Sequence, residues 1–356
     1  YNKKNKVKGI RVVDHLNKQA FNIKGKVVVN AAGPWVDKVR QRDAFVKGKR
    51  LHLTKGVHVV VPYERLPLQQ SAYFDVPGGR MMFAIPRANV TYIGTTDTTY
   101  SARIERPKVS KEDVDYILNG VNNLFPTVNL GKKDVISTWA GLRPLIHEDG
   151  KSPSELSRKD EIFFSKSGII SIAGGKLTGF RKMAERTVDE VMKALYKKNG
   201  KMPKDCITEG MCLSGGDFES ASAIEDYIDT MATSLSVMNI SRGQITDLVY
   251  KYGSNTPQIL QNFRRQSSTE IAQKYNIAER LVIAELHYGI EHEMVHTSSD
   301  FFIRRTGRLY FERLDIPKYR ALVGQILAQV FEWDEAQIAA DEVEFDQEYL
   351  DVVNFI

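Results

Sequence analysis

Cysteine is scarce. Cys206 and Cys212 are the only two in 356 residues. That excludes a disulfide-built framework and suits a reducing cytoplasm; the loop setting of the pair argues against a bridge between them. Long apolar runs are also missing. None reaches the roughly 18 residues a spanning helix needs, so any membrane contact would be peripheral. The net charge is +6 with a pI of about 9.0, yet no dense basic block accompanies it. This pattern weakens a nucleic-acid reading and leaves an anionic substrate or an acidic membrane surface. There are no internal repeats and no low-complexity stretch. Neither a GxxxxGK[ST] phosphate loop nor a GxGxxG dinucleotide fingerprint occurs. The chain opens on Tyr1 without a signal sequence and runs almost at once into a strand-like segment, Val7 to Val13. It therefore reads as an entry into the middle of a fold, and a fragment is expected.

What is present is ordinary globular material, with 42% hydrophobic and 26% charged residues, enough for two or three domains. Val7 to Val13 and Phe21 to Val29 read as strands. The second breaks into Asn30-Ala-Ala-Gly-Pro-Trp35, a small-residue loop with Pro34 opening a helix. His58 to Val61, Ser71 to Phe74, Met81 to Arg87 and Val90 to Thr95 have hairpin spacing and predict an antiparallel sheet. Ser110 caps a helix to Leu124, and Asp134 to Ala140 is a strand ending at Gly141-Leu-Arg-Pro144. Lys151 to Lys159 is a polar loop. Glu161 to Phe164 and Gly168 to Ala173 form a hairpin, followed by a helix from Thr178 to Lys198 with Met183, Val188 and Val191 on its apolar side. A linker at 201–216 leads into almost wholly helical patterns. These cover Phe218–Met238, Arg242–Tyr252, Thr269–Lys274, Ala278–Glu291, Ser298–Tyr310, Lys318–Phe331 and Asp334–Asn354.

Four motifs carry candidate chemistry. Gly174-Gly-Lys-Leu-Thr-Gly-Phe-Arg181 joins a strand to a helix. Its glycines let backbone approach a flat ligand, the helix start offers N–H donors, and Lys176 and Arg181 add cations. A plain tight turn fits the spacing equally well. In Trp139-Ala-Gly-Leu-Arg-Pro-Leu145, Arg143 is wedged between a strand end and a proline, where it can fork a phosphate or carboxylate or make a structural ion pair. Thr54-Lys-Gly-Val-His58 places a histidine, a residue type that titrates near neutrality, at a strand start; His58 is a candidate base, and lone histidines such as His52 and His147 are more often structural. His292-Glu-Met-Val-His296 matches the HExxH zinc-peptidase pattern, but no third ligand spacing follows and a helix boundary falls at Thr297 to Asp300.

In order and spacing, VVVNAAGPWVDKVR, TKGVHVVV, YIGTTDTTY, WAGLRPLIHEDGKSPSELSRKDEI and SIAGGKLTGFRKMAERTVDEV resemble the FAD-dependent glycerol-3-phosphate dehydrogenases, as does the tail AELHYGIEHEMVHTSSDFFIRRTGRLYF. The resemblance covers essentially the whole chain. It implies an α/β plus α fold related to amino-acid oxidases: the distal part of an FAD-binding domain at 1–41, an antiparallel substrate-binding sheet at 42–160, a closing hairpin and helix at 161–200, and an all-α domain at 217–356. It implies FAD as cofactor and hydride transfer from glycerol 3-phosphate to flavin, giving dihydroxyacetone phosphate. Quinone is the implied acceptor, oxygen the alternative in related oxidases; the short stretch from Pro144 to Ala173 favours the dehydrogenases. Arg143 and Lys176 match substrate-gripping positions, and His58 a catalytic or orienting histidine. Ala32, Gly33, Trp35, Gly174, Gly175, Lys176, Leu177 and Thr178 match positions along the FAD. No zinc is bound at His292 and His296 in that family, and no nucleic acid is implied. A cytoplasmic protein, peripheral on the membrane, would agree with the charge. A non-catalytic scaffold, with the helical domain holding a partner or dimer mate, is the competing class. Phe180 stands where the family often has Tyr. The family's GxGxxG unit and an early active-site arginine and tyrosine have no counterpart here, so the chain alone is expected to bind FAD weakly or not at all and not to turn over substrate.

Overall fold

The computed structural model describes residues 5–43, 46, 48–148, 159–196, 204–234, 238–266 and 270–355. In chain order the elements are β1 (Gly9–Val13), β2 (Ala20–Lys24), β3 (Val28–Asn30), α1 (Val36–Asp43), β4 (Arg50–Pro62), β5 (Ala72–Val76), β6 (Arg80–Arg87), β7 (Val90–Gly94), β8 (Thr98–Thr99), α2 (Lys111–Leu124), β9 (Ser137–His147), β10 (Asp160–Phe164), β11 (Ile169–Gly174) and α3 (Phe180–Tyr196). Then come α4 (Ala221–Ser234), α5 (Arg242–Tyr252), α6 (Thr256–Gln266), α7 (Ile271–Lys274), α8 (Ile277–Glu293), α9 (Arg308–Phe311), α10 (Ile316–Val330) and α11 (Glu335–Asp351). The fold class expected from the sequence, an α/β arrangement with an antiparallel sheet followed by helices, is the class found.

Local chemistry explains many of these boundaries. Ser110 starts α2 because its hydroxyl accepts from the Asp113 N–H at 3.3 Å, while the Asp113 carboxylate accepts from the Ser110 N–H at 3.0 Å. The helix then buries Val114, Ile117, Leu118 and Val121 along one stripe. Ser241, Asn276 and Asp334 cap α5, α8 and α11 in the same reciprocal way.

Other boundaries differ from the sequence reading. β9 does not stop at Gly141 but runs through Pro144 to His147. It pairs with β4, and a proline is tolerated where its position carries no ladder N–H. The helix α6 has no counterpart in the sequence reading, because Pro257 there looks like a breaker although it sits in the first turn. Ser298–Tyr310 is not one helix. A π-helical segment, Asp300–Arg305, is cut off from α9 by Gly307 in the left-handed region at φ 65°. The loop read at Lys151 to Lys159 lies, except for Lys159, outside the described residues.

The chain divides into two compact units. The first comprises Tyr1–Val57, Thr95–Lys108 and Ala140–Met211. It holds the β1–β2 hairpin and a three-stranded sheet ordered β10-β11-β3, in which β11 and β3 are parallel with Ile170 opposite Val29. Both α1 and α3 pack on β11. In the same unit the first half of β4 pairs with β8, Thr54 opposite Thr99.

The second unit comprises His58–Gly94, Val109–Trp139 and Cys212–Ile356. Its sheet runs β5-β6-β7 and on to the second half of β4, all antiparallel. One helical core gathers Ile228, Ile245, Ile259 and Phe263; another gathers Phe301, Phe302, Leu327 and Phe345. Between residues of these helices lies a buried ion group. Arg308 contacts Glu285 directly and Glu312 at 2.6 Å, and the Tyr252 hydroxyl donates to Glu285 at 3.1 Å. Burial acts to raise the Glu285 pKa, but Arg308, Lys251 and the Tyr252 hydroxyl outweigh it and hold the carboxyl below its usual range.

Candidate active site

The Gly174-Gly175 turn ends β11 and strongly favours glycine at both positions. Both glycines lie in the left-handed region, at φ 76° and 82°. A Cβ on Gly174 would sit 2.6 Å from the Lys159 carbonyl oxygen, and one on Gly175 2.6 Å from the Met183 sulfur. Lys176 then precedes a single 3-10 turn, Leu177–Gly179, that winds directly into α3. The turn follows a strand that pairs in parallel with β3 and antiparallel with β10, and beyond it Leu177 is 89% exposed and Phe180 61% exposed.

A second wall comes from β9, with Leu142, Arg143, Pro144 and Leu145 side by side. The third comes from the loop after β3. Asn30 is buried and shapes that loop: its amide donates to the Val36 carbonyl at 3.0 Å and to the Ser171 hydroxyl at 3.1 Å, and its carbonyl accepts from the Ala32 N–H at 3.3 Å. Ala31 and Gly33 thereby face the same space.

These walls enclose a cleft of about 1000 Å³. Of the residues expected from the sequence, Arg143, Lys176, Gly33, Gly174, Gly175 and Leu177 line it together. Ala32, Trp35 and Thr178 lie beside those residues in the chain but are not part of the lining. The Trp35 indole instead donates to Glu105 at 3.4 Å, and Lys38 donates to the same oxygen at 3.2 Å. Its own backbone N–H, then Lys38 and Trp35, hold the Glu105 carboxyl down at about 2. Arg181 is not in the lining either; it bonds Glu185 at 3.1 Å and the Thr208 hydroxyl at 3.3 Å.

Sequence reasoning missed the apolar wall. Met183, Val188 and Val191 line the cleft, and Val188 is 53% exposed. Their helical spacing identified an apolar side correctly, but a stripe facing a core and a stripe facing a cleft have the same period. Chemically the cleft offers an apolar slot, a tight turn with outward backbone, and two cations at its side. That suits a flat, largely apolar ring with an anionic group beside it.

His58 belongs to the second unit and is not a cleft residue. Its ring stacks on Trp139 at 4.7 Å and lies 5.5 Å from Phe83. Tyr310 and Phe311 back Trp139 at 5.3 and 5.7 Å. The HExxH pattern does not form a helical ligand pair. α8 ends at Glu293, Met294 turns left-handed at φ 58°, and the His296 ring meets Phe331 edge-on. Two histidines separated by that break do not share a helix face.

Fold and cleft together define an α/β chain shaped for a planar cofactor. The family described as FAD dependent oxidoreductase matches residues 3–181, and the family described as C-terminal domain of alpha-glycerophosphate oxidase matches residues 206–338. The chain belongs to this FAD-dependent oxidoreductase family. It is 43% identical, over 93% of its length, to the aerobic glycerol-3-phosphate dehydrogenase of Bacillus subtilis strain 168, and 43% identical over 98% to that of Staphylococcus aureus strain USA300. The matched residues are 59% and 62% of those relatives, so the chain spans about three fifths of their length. The solved glycerol-3-phosphate dehydrogenase of Bacillus halodurans complexed with FAD superposes with a TM-score of 0.89 at 42% identity, over 99% of this chain and 68% of that one.

Proposed function

We propose that this chain provides the substrate-side wall and the ring-side turn of an FAD-dependent enzyme that oxidises sn-glycerol 3-phosphate to dihydroxyacetone phosphate. The observation that carries the reading is the meeting of Arg143 and Lys176 with the Gly174–Gly175 turn around one apolar cleft. FAD, when bound, supplies the hydride acceptor. The residues that would hold its ring are Gly174, Gly175, Lys176 and Leu177 on one side and Gly33 on the other, with Ala32, Trp35 and Thr178 supporting from beside the lining. The fit is favourable: positive-φ glycines present bare backbone to the slot, and the remaining walls are largely apolar. Arg143 and Lys176 bind the phosphate and steady negative charge at the substrate oxygen. A catalytic or orienting role is proposed for His58 from its motif alone; it does not line the cleft.

Quinone is the proposed final acceptor. Oxygen is the second reading, favoured by the oxidase description of the matched helical domain. The charge of +6 agrees with contact at an anionic membrane surface, and among the described residues no helix is long and apolar enough to cross a membrane.

The test is anaerobic. A protein that carries this chain together with the family's GxGxxG unit is loaded with FAD, and sn-glycerol 3-phosphate follows. Loss of the oxidised flavin spectrum is expected, with quinone restoring it faster than oxygen. The 356-residue chain by itself is expected to bind flavin weakly or not at all and to leave it oxidised, since no GxGxxG is present for the diphosphate. Flavin that is bound in the GxGxxG-containing protein and stays oxidised with saturating substrate would sink the reading.

A further inference from the structure

Three motifs that are far apart in sequence converge on one guanidinium. Arg143 extends from β9 and donates through Nη2 to the Thr95 hydroxyl at 2.9 Å. Through Nη1 it donates to the Thr96 carbonyl at 3.1 Å and to the Asp97 carboxylate at 3.4 Å. Its plane lies against Gly56 of β4, where any Cβ would fall on the guanidinium itself. The turn that receives it is in turn fastened to β4 on both sides of Gly56. The Thr96 hydroxyl, 2% exposed, accepts from the Val57 N–H at 3.0 Å and donates to the Lys55 carbonyl at 3.3 Å. The Thr95 hydroxyl donates to the Thr96 carbonyl at 3.1 Å, which leaves its lone pair for Arg143. All of these residues belong to the first unit.

We propose that Gly56, Thr95, Thr96 and Asp97 are positioning residues that preset Arg143 at the cleft before any ligand arrives. An arginine side chain freezes several rotors when it grips an anion. Here that ordering is done on folding, by a glycine floor and a threonine-aspartate rim. The floor explains why TKGVH needs glycine at its centre: the guanidinium occupies the volume that a side chain would take. The rim explains the order of TTD: one hydroxyl accepts from the arginine, one hydroxyl ties the turn down, and one carboxylate fixes the far edge. The inference deepens the proposed function, on which its ligand chemistry rests.

The test reads Arg143 directly. In the 356-residue chain labelled with ¹⁵N-arginine, the Arg143 side-chain signals are identified by their loss in Arg143→Lys. Restricted rotation, seen as separately resolved Nη signals, is expected in the parent and in Thr95→Ser. Averaged signals are expected in Thr95→Val and Gly56→Ala. Calorimetry with sn-glycerol 3-phosphate then shows affinity weakened about tenfold in the averaged variants, the scale of one charge-assisted hydrogen bond, with Thr95→Ser restored to the parent value. Gly56→Ala risks misfolding, so Thr95→Val decides the matter. Arg143 signals already averaged in the parent, or unchanged in Thr95→Val, overturn the proposal. Resolved signals that collapse in Thr95→Val uphold it even if glycerol 3-phosphate fails to bind; that second result removes the ligand reading alone.

Discussion

Two arginines in this molecule are held by several segments each, and their surroundings give them opposite uses. Arg308 is 8% exposed and sits between Glu285 and Glu312 inside the helical part of the second unit. Its charge is spent on partners fixed in the same core. Arg143 has a third of its side chain exposed and is braced by Thr95, the Thr96 carbonyl and Asp97 at the lip of the first unit's cleft. The first is a fastening; the second is a presented group. Motif spacing alone does not separate these cases, because a bidentate cation in a core and one at a cleft use the same residue and the same geometry.

The comparison breaks most visibly at Glu285. Replacing it with alanine leaves Arg308 buried beside a lost partner, and we expect a loss of about 3–5 kcal/mol in a urea titration. The pH dependence follows from the direction of the shift. The folded Glu285 carboxyl titrates below its unfolded value, so its contribution is complete above the ordinary carboxylate pKa of about 4.3 and disappears as pH falls through the lower folded value. Glu285→Gln should therefore flatten part of the acid limb of the stability profile. An unchanged acid limb, with full stability retained, would mean that this ion group fastens nothing.

Arg143→Ala sharpens the other side. Stability should change by about 1 kcal/mol or less, as for a partly exposed group away from a core. Affinity for glycerol 3-phosphate should fall by about 10- to 100-fold, the scale of losing charged hydrogen bonds to an anion. A large melting-temperature drop with ligand affinity preserved would turn Arg143 into a second Arg308.

Much of the site was legible before the fold. A strand, two glycines and a lysine leading to a helix predicted the turn at Gly174, because few sequences tolerate consecutive left-handed residues. Arg143 and Lys176 were singled out by charge beside conformational restriction, and the cleft brings them together. The capped helices, such as α2 at Ser110, were legible for the same local reason: the signal and the structure lie within four residues of each other. What escaped depends on distance. α6 was hidden because Pro257 signals a break unless one already knows that it stands in a first turn. Gly307 was hidden because a single glycine inside a helical pattern reads as tolerated rather than as a break. The bracket around Arg143 joins residues 56, 95–97 and 143, and no local period encodes such a meeting. His58 was named as a catalytic candidate from its motif, but its aromatic surroundings arise from Phe83, Trp139 and Phe311, which are remote in sequence.

The smallest expected effect tests the apolar stripe of α3, read from sequence as a helix side and found lining the cleft. Val188 is 53% exposed there, whereas Leu286 of α8, also on a helix with an apolar surface, is fully buried. Val188→Asn should alter stability by no more than about 0.5 kcal/mol, because no packed neighbour is lost. It should still weaken flavin binding, measured by fluorescence quenching, since a polar amide replaces apolar wall that a ring would cover. Leu286→Asn would instead unfold its core. If Val188→Asn destabilised the chain as strongly as Leu286→Asn, the stripe would be core after all, and the cleft would lose the wall that makes it a place for a flat ring rather than for phosphate alone.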